Sequence, residues 1–479
     1  MDQWFATDTW FGELISIGNN LLWTYILIGF LLLLGLYLTV KTNFVQFRML
    51  PDMFKELIKG TDRTAFKERK GTSPFQAFAI STAARVGTGN LAGVALAISV
   101  GGPGAIFWMW VVALVGAATG FIESTLAQIY KVKDKDGFRG GPAYYMEKGL
   151  GSRGMGLVFA VLIVLCFGLI FNGVQTHTIS DAFVGAYNIP AGLVGVVIAV
   201  MMAFIIFGGV RRIAVVAEVI VPVFALTYIV VALIIMMMNI TEIPAVFALI
   251  FNNAFGIEEV VGGGLGAVIM NGVQRGLFSN EAGMGSAPNA AATVYVKHPV
   301  KQGLIQSLSV LIDTLIICSA TAFIVLLTDV YTVGEMEGIQ LTQQALAHHM
   351  GDWATIFVTV AIFFFAFSSL LGNYYYGEAN IGFISEKPIY LTLFRLAFLA
   401  MVVIGATSDL DIIWEMADLF MGLMAVVNLI AVLLLGKIAI SALKDFQQQR
   451  KAGIDPVFYR NSIKGLKNVE SWGTKEEEK

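Results

Sequence analysis

Long apolar runs alternate with short polar connections along this chain, and eleven of the runs are long enough to cross a bilayer as helices. They lie at roughly 16–40, 74–101, 104–130, 155–185, 190–209, 213–238, 261–292, 303–328, 353–384, 389–407 and 411–436. The spans at 74–101 and 261–292 are longer than one straight helix needs. Two connections, 239–260 and 329–352, are long and mixed in polarity, which predicts short helices lying at the membrane interface. The tail after Lys437 begins helix-like and ends in TKEEEK, a solvated charge run expected to stay disordered.

Inside two of the spans the pattern is interrupted in the same way. RVGTGNLAG runs from Arg85 to Gly93, and RGLFSNEAG from Arg275 to Gly283. Both read R-x4-N-x-A-G, 190 residues apart, with glycines and polar residues near mid-span. The offset covers five spans, an odd number, so the second copy enters from the opposite side. This predicts an inverted repeat of five plus five helices behind one extra N-terminal helix. The segments are then 1–71 (extra helix and amphipathic linker), 72–239 (first repeat), 240–437 (second repeat) and 438–479 (tail). An unwound backbone at that depth is tolerated only where it lines a protein cavity. Opened helices offer free N–H groups to a carboxylate and free carbonyls to a cation. The bland alternative is glycine serving helix packing alone; the repetition in related spans favours a midplane site for a small zwitterion and a metal cation.

Composition agrees with a membrane protein. Of 479 residues, 57% are hydrophobic and only 14% charged, against roughly 25% charged in soluble domains. The net charge of −3 carries no nucleic-acid signature, and no phosphate-binding loop or obligatory protein partner is evident. The N-terminus lacks the basic start of a cleavable signal. Basic residues fall on one side of the predicted spans: 29 of 31 lie in or, for Arg395, near alternate connections and the tail, the exceptions being Arg85 and Arg275. The N-terminus is therefore expected outside and the C-terminus in the cytoplasm. Cys166 and Cys318 sit in apolar runs, where a disulfide framework is not expected.

GTGNLAG, GGPGAIFWMW (Gly101 to Trp110), GGPAYYMEKGLG (Gly140 to Gly151) and RGLFSNEAGMGSAP (Arg275 to Pro288) together resemble the alanine/glycine:cation symporter family, from about residue 72 to about 440. The resemblance implies an all-α integral membrane protein related to neurotransmitter:sodium symporters. It would import alanine or glycine with sodium as the co-transported ion and no organic cofactor, in a prokaryotic plasma membrane. By the same resemblance, N–H groups around Thr88 and Gly89 receive the substrate carboxylate and Asn90 ligates one sodium ion. A second sodium ion would take carbonyls near Ala83 and Val86 plus hydroxyls of Ser368 and Ser369; the bland reading has those serines bonding back to their own turn. Gln274, Phe278, Ser279 and Asn280 are the expected lining from the second broken helix, with Phe278 and Met270 limiting substrate size. Gln175 is a substrate candidate and His177 a packing residue; His348 and His349, adjacent in sequence, do not share a helix face.

Buried acids (Glu123, Glu218, Glu281, Asp313, Glu378, Glu415, Asp418) must in part neutralise Arg85 and Arg275, since an unpaired charge at mid-membrane costs roughly 2.5–3.5 kcal/mol even on insertion scales. The two arginines flank the breaks and are read as gate candidates, a permanent structural ion pair being the alternative. Proton coupling, an intramembrane enzyme and a channel are the competing functions.

Overall fold

The computed structural model describes residues 9–60, 72–134, 137–256, 264–334 and 336–474. Its helices follow the apolar runs: α1 (Trp10–Lys41), α2 (Leu50–Lys59), α3 (Pro74–Arg85), α4 (Gly89–Gly101), α5 (Ala105–Ile129), α6 (Pro142–Leu150), α7 (Arg153–Tyr187), α8 (Ala191–Ile206), α9 (Arg212–Met238), α10 (Ile243–Ala254), α11 (Leu265–Asn280), α12 (Ala287–Ala291), α13 (Pro299–Leu326), α14 (Gly338–Met350), α15 (Trp353–Ile384), α16 (Pro388–Ala406) and α17 (Leu410–Lys451). A two-stranded hairpin, β1 (Val132–Asp134) with β2 (Gly137–Arg139), joins α5 to α6.

Among the described residues, eight helices are long and apolar enough to cross a membrane, or nine when the bent pair α3–α4 is taken as one span. The other two expected spans fall on α8, whose 16 residues reach about 24 Å, and on the broken pair α11–α12. Both long mixed connections contain a helix, α10 and α14, as their polarity suggested. The last span overruns its expected end at 436, and α17 continues to Lys451.

The two over-long spans are both interrupted. Ser73 caps α3 by accepting from Gln76 N, Gln76 returns the bond to Ser73 N, and Pro74 opens the first turn. The helix then stops at Arg85, and the chain restarts at Gly89 with a 49° change of direction. In the second copy α11 ends at Asn280, where Glu281 turns left-handed with φ +56°.

α5 is the central post, against which α11, α13, α1 and α17 all pack. The motif around its start explains the fit: a Cβ on Gly272 of α11 would lie 2.5 Å from the Ala105 carbonyl and 2.6 Å from Trp108 Cβ. The extra helix α1 is pinned to the last one, since Asn19 donates to the Glu415 carbonyl at 2.9 Å and buried Trp23 to the Asp418 carbonyl at 3.2 Å.

Candidate functional site

The two interrupted helices meet. A Cβ on Gly89 would lie 3.0 Å from both the Phe278 ring and the Ser279 Cα, so the small residue sets how closely the breaks approach. Asn90 joins them: its Nδ2 donates to Ser279 Oγ at 3.1 Å, to Asp313 Oδ1 at 2.8 Å and towards Cys318 Sγ at 3.3 Å. Its Oδ1 accepts from Gly87 N at 3.0 Å. The next amide, Thr88 N, donates to Gln175 Oε1 of α7 at 3.0 Å. The break's freed N–H groups are thus held by side-chain oxygens that a carboxylate could replace. Thr88 Oγ1, wholly buried, has no hydrogen-bond partner among the described residues.

The freed carbonyls turn the other way. Ser369 Oγ of α15 lies 2.9 Å from the Ala83 carbonyl and 3.4 Å from that of Val86, which brings three oxygens together. Gly87 is required beside them, because a Cβ there would sit 2.1 Å from Ser369 Oγ and 2.8 Å from Gln175 Oε1. Ser368 instead donates to the Phe365 carbonyl of its own helix at 2.8 Å, and Ser369 also shares that carbonyl at 3.2 Å. The back-bonding that serines favour in helices describes Ser368 fully and Ser369 in part.

In the second broken helix, Asn280 donates to Thr314 Oγ1 at 3.2 Å and accepts from Ala282 N at 3.0 Å, closing the turn. Phe278 is wedged between Phe171 and Trp414, each 4.6 Å away between ring centres. Gln274 is buried on the same helix but outside this hydrogen-bond network. Met270 is not at the site: it is only partly buried, and its sulfur faces Thr24 of α1 at 3.9 Å.

The two arginines differ. Arg275 forms an ion pair with Asp418 of α17, and its guanidinium lies 4.4 Å from the Trp414 ring centre. Both charges are buried. Among the described residues Arg85 reaches only Gln306, at 3.5 Å, although the side chain is 2% exposed, and each arginine leaves two guanidinium nitrogens without a partner. Glu123, Glu281 and Asp313 lie within electrostatic reach of it without contact. Glu123 is instead occupied by Gly283 N and Asn428, and Glu281 by Ser286.

Trp414, Thr314, Cys318 and Phe171 were missed in the sequence as parts of this site. Trp414 and Asp418, four apart on one helix, had a legible signal, since that spacing puts both on one face. His177 has its Nδ1 buried without a partner on α7, and His349 bonds the Ile324 carbonyl at 3.1 Å.

A family model described as "Sodium:alanine symporter family" matches residues 8–460. The chain belongs to the sodium:alanine symporter family. It is 55% identical over 98% of its length to the amino-acid carrier protein AlsT of Bacillus subtilis, all of which is covered. It is 54% identical over 96% of its length to the probable sodium/glutamine symporter GlnT of the same organism, 96% of which is covered. A solved structure of a manganese transporter of Eremococcus coleocola superposes with a TM-score of 0.50 at 13% identity, covering 78% of this chain and 87% of that one; this likeness concerns the fold alone. The chain is a multi-pass membrane transporter and not an enzyme.

Proposed function

We propose that this protein imports small neutral amino acids, alanine and glycine first, with sodium, by alternating access around the paired breaks. The single observation that carries the reading is the meeting of the two breaks, where the Thr88 N–H is held by Gln175 and Asn90 joins Ser279 across the gap. In this reading the substrate carboxylate displaces Gln175 Oε1 from the Thr88 N–H, with Gly89 beside it, and Phe278, Ser279, Asn280 and Gln274 shape the remainder. Asn90 holds one sodium ion. The oxygens of Ala83, Val86 and Ser369 hold a second, and Ser368 turns into it only by releasing its own helix. Hard cations take such oxygen ligands.

The eleven spans form five plus five behind α1, across the boundaries at 72, 240 and 437; the last falls inside α17. The basic connections face the cytoplasm of a prokaryote, and the N-terminus lies outside. Arg275 with Asp418 then closes the outer side, and Arg85 stands on the inner.

The driving force suffices. One sodium ion crossing 100 mV releases about 2.3 kcal/mol, and a tenfold gradient adds roughly 1.4, enough for a substrate gradient of a few hundred-fold. Labelled alanine and glycine uptake into proteoliposomes, with sodium, lithium or protons as the only gradient, tests the reading. Sodium-stimulated uptake of either is expected, and its absence for both would overturn it. Glutamine is the second substrate to include, because a relative 54% identical is named a probable glutamine symporter.

A further inference from the structure

Asp313 accepts from Asn90 at the centre of the site, yet the proposed function gives it no role. It sits on α13, in the π-helical stretch Ile312–Cys318, and is wholly buried. Such single-turn widenings of a helix recur at functional sites. One carboxylate oxygen accepts from Asn90 Nδ2 at 2.8 Å; the other accepts from Ser279 Oγ at 2.7 Å and Thr314 Oγ1 at 3.1 Å. Every one of these donors is neutral. Among the described residues no cation makes an ion pair with Asp313, and Arg85 acts on it only from a distance. A buried carboxylate at membrane depth, held by neutral donors alone, calls for a cation.

The geometry also marks where that cation would sit. Asn90 Nδ2 has two hydrogens but faces three acceptors, Asp313 Oδ1, Ser279 Oγ and Cys318 Sγ. The amide nitrogen, carried on the first turn of α4, faces electron-rich atoms drawn from two other elements, the end of α11 and α13. Turning the Asn90 carboxamide over would put its oxygen among those atoms beside the carboxylate. It would also end the bond that Gly87 N now makes to Asn90 Oδ1. The freed N–H lies next to Thr88 N, and the buried Thr88 hydroxyl is still without a partner among the described residues.

We propose that Asp313 is the anionic ligand that draws a sodium ion onto Asn90, and that the turned Asn90 amide releases the Gly87 N–H for the substrate carboxylate. Sodium binding thereby prepares the amino-acid site. This rests on the reading of Asn90 as a sodium ligand, and the experiment separates the two. Sodium-dependent alanine uptake and the sodium-to-alanine ratio at the reversal potential are measured in proteoliposomes for the parent, Asp313→Asn, Asn90→Ala and the swap Asn90→Asp/Asp313→Asn. Losing a charged ligand should raise the half-saturating sodium concentration about tenfold or more and lower the ratio by one ion. The swap keeps one carboxylate and one amide across the same contact, and should return sodium dependence to within about threefold of the parent, below a tenfold ligand loss. If Asn90→Ala shifts the sodium dependence and Asp313→Asn does not, Asp313 is no ligand and the Asn90 reading stands. If neither shifts it, both ideas fall. Should Asp313→Asn not insert, the swap decides alone: sodium-driven transport supports the assignment, and transport without sodium dependence, or none, ends it.

Discussion

At the scale of single residues, Arg275 is the charge whose role can be read most directly. It has a carboxylate partner in Asp418, and it stacks on Trp414, which in turn touches the Phe278 ring at the site. The sequence made both arginines conspicuous, because a charge in an apolar span is expensive, but it could not name a partner 143 positions away. It also treated the two as equivalents. The structure separates them by partner: Arg275 meets a carboxylate, Asp418, whereas Arg85 meets only the neutral Gln306 among the described residues, and each leaves two guanidinium nitrogens without a bond. Arg275→Lys keeps the charge but loses the planar guanidinium that meets Asp418 through Nη2, and with it most of the Trp414 ring contact. The variant should insert and still bind alanine. Its outward-open population should rise by about tenfold, the worth of roughly 1.5 kcal/mol in lost hydrogen bonding and stacking. Accessibility of a cysteine placed beside the outer pathway, labelled from outside, measures this. Parent-like labelling would make the pair a fixed structural feature.

At the scale of elements, breaks and caps carry the information. The excess length of two spans and their glycines made both interruptions legible, because glycine in a helix interior is weak and local. What the breaks touch was legible only in part: the family resemblance put Ser369, 286 residues away, beside Ala83 and Val86, whereas nothing in the sequence put Asp313, 223 residues away, against Asn90. The start of α13 shows a cap with a titratable acceptor. His298 Nδ1 accepts from Val300 N at 3.3 Å, which leaves Nε2–H to donate to Asp445 at 3.2 Å. Burial holds this imidazole below its ordinary range, against the pull of Asp445. Protonating Nδ1 would abolish the cap. As the pH falls below about 6.5, the unfolded chain takes up a proton that the native state resists, so stability is lost on acidification and levels off below the folded value. His298→Asn keeps an acceptor that does not titrate. Its melting temperature in detergent should therefore drop less between pH 7.5 and 5.5 than that of the parent, with a cap worth roughly 1 kcal/mol at stake. Equal drops would show that His298 does not set this pH dependence.

At the scale of the whole molecule, the chain's end is tied to the helix that carries the site. The charge run TKEEEK was expected to be disordered, and Lys475–Lys479 lie outside the described residues. The stretch before it, 452–474, crosses the basic face. Asp455 pairs with Lys301 at 2.8 Å and Lys297 at 3.1 Å. Ser471 donates to the Lys131 carbonyl at 2.9 Å and Trp472 to that of Gln128 at 3.0 Å. The Trp472 ring packs against Ala77, Val294 and Val296, and Ala77 belongs to α3, the half-helix that leads into the first break. Sequence reading missed this because the contacts are few, polar and far apart in the chain, without the apolar periodicity that exposes a span. Alternating access requires one half of the molecule to rock against the other around the breaks. If the basic face lies in the cytoplasm, as proposed, opening inwards carries the foot of α3 away from Val294, where Trp472 now bridges them. Trp472→Ala should leave insertion and substrate affinity intact and favour the inward-open state. A cysteine at Thr82, whose hydroxyl now bonds Ser309 at 3.1 Å, should then label several-fold faster from the cytoplasmic side, as expected when roughly 1 kcal/mol of packing is removed. Unchanged labelling in Trp472→Ala, and in a chain truncated after Ala452, would mean that the strap rides with α3 instead of holding it.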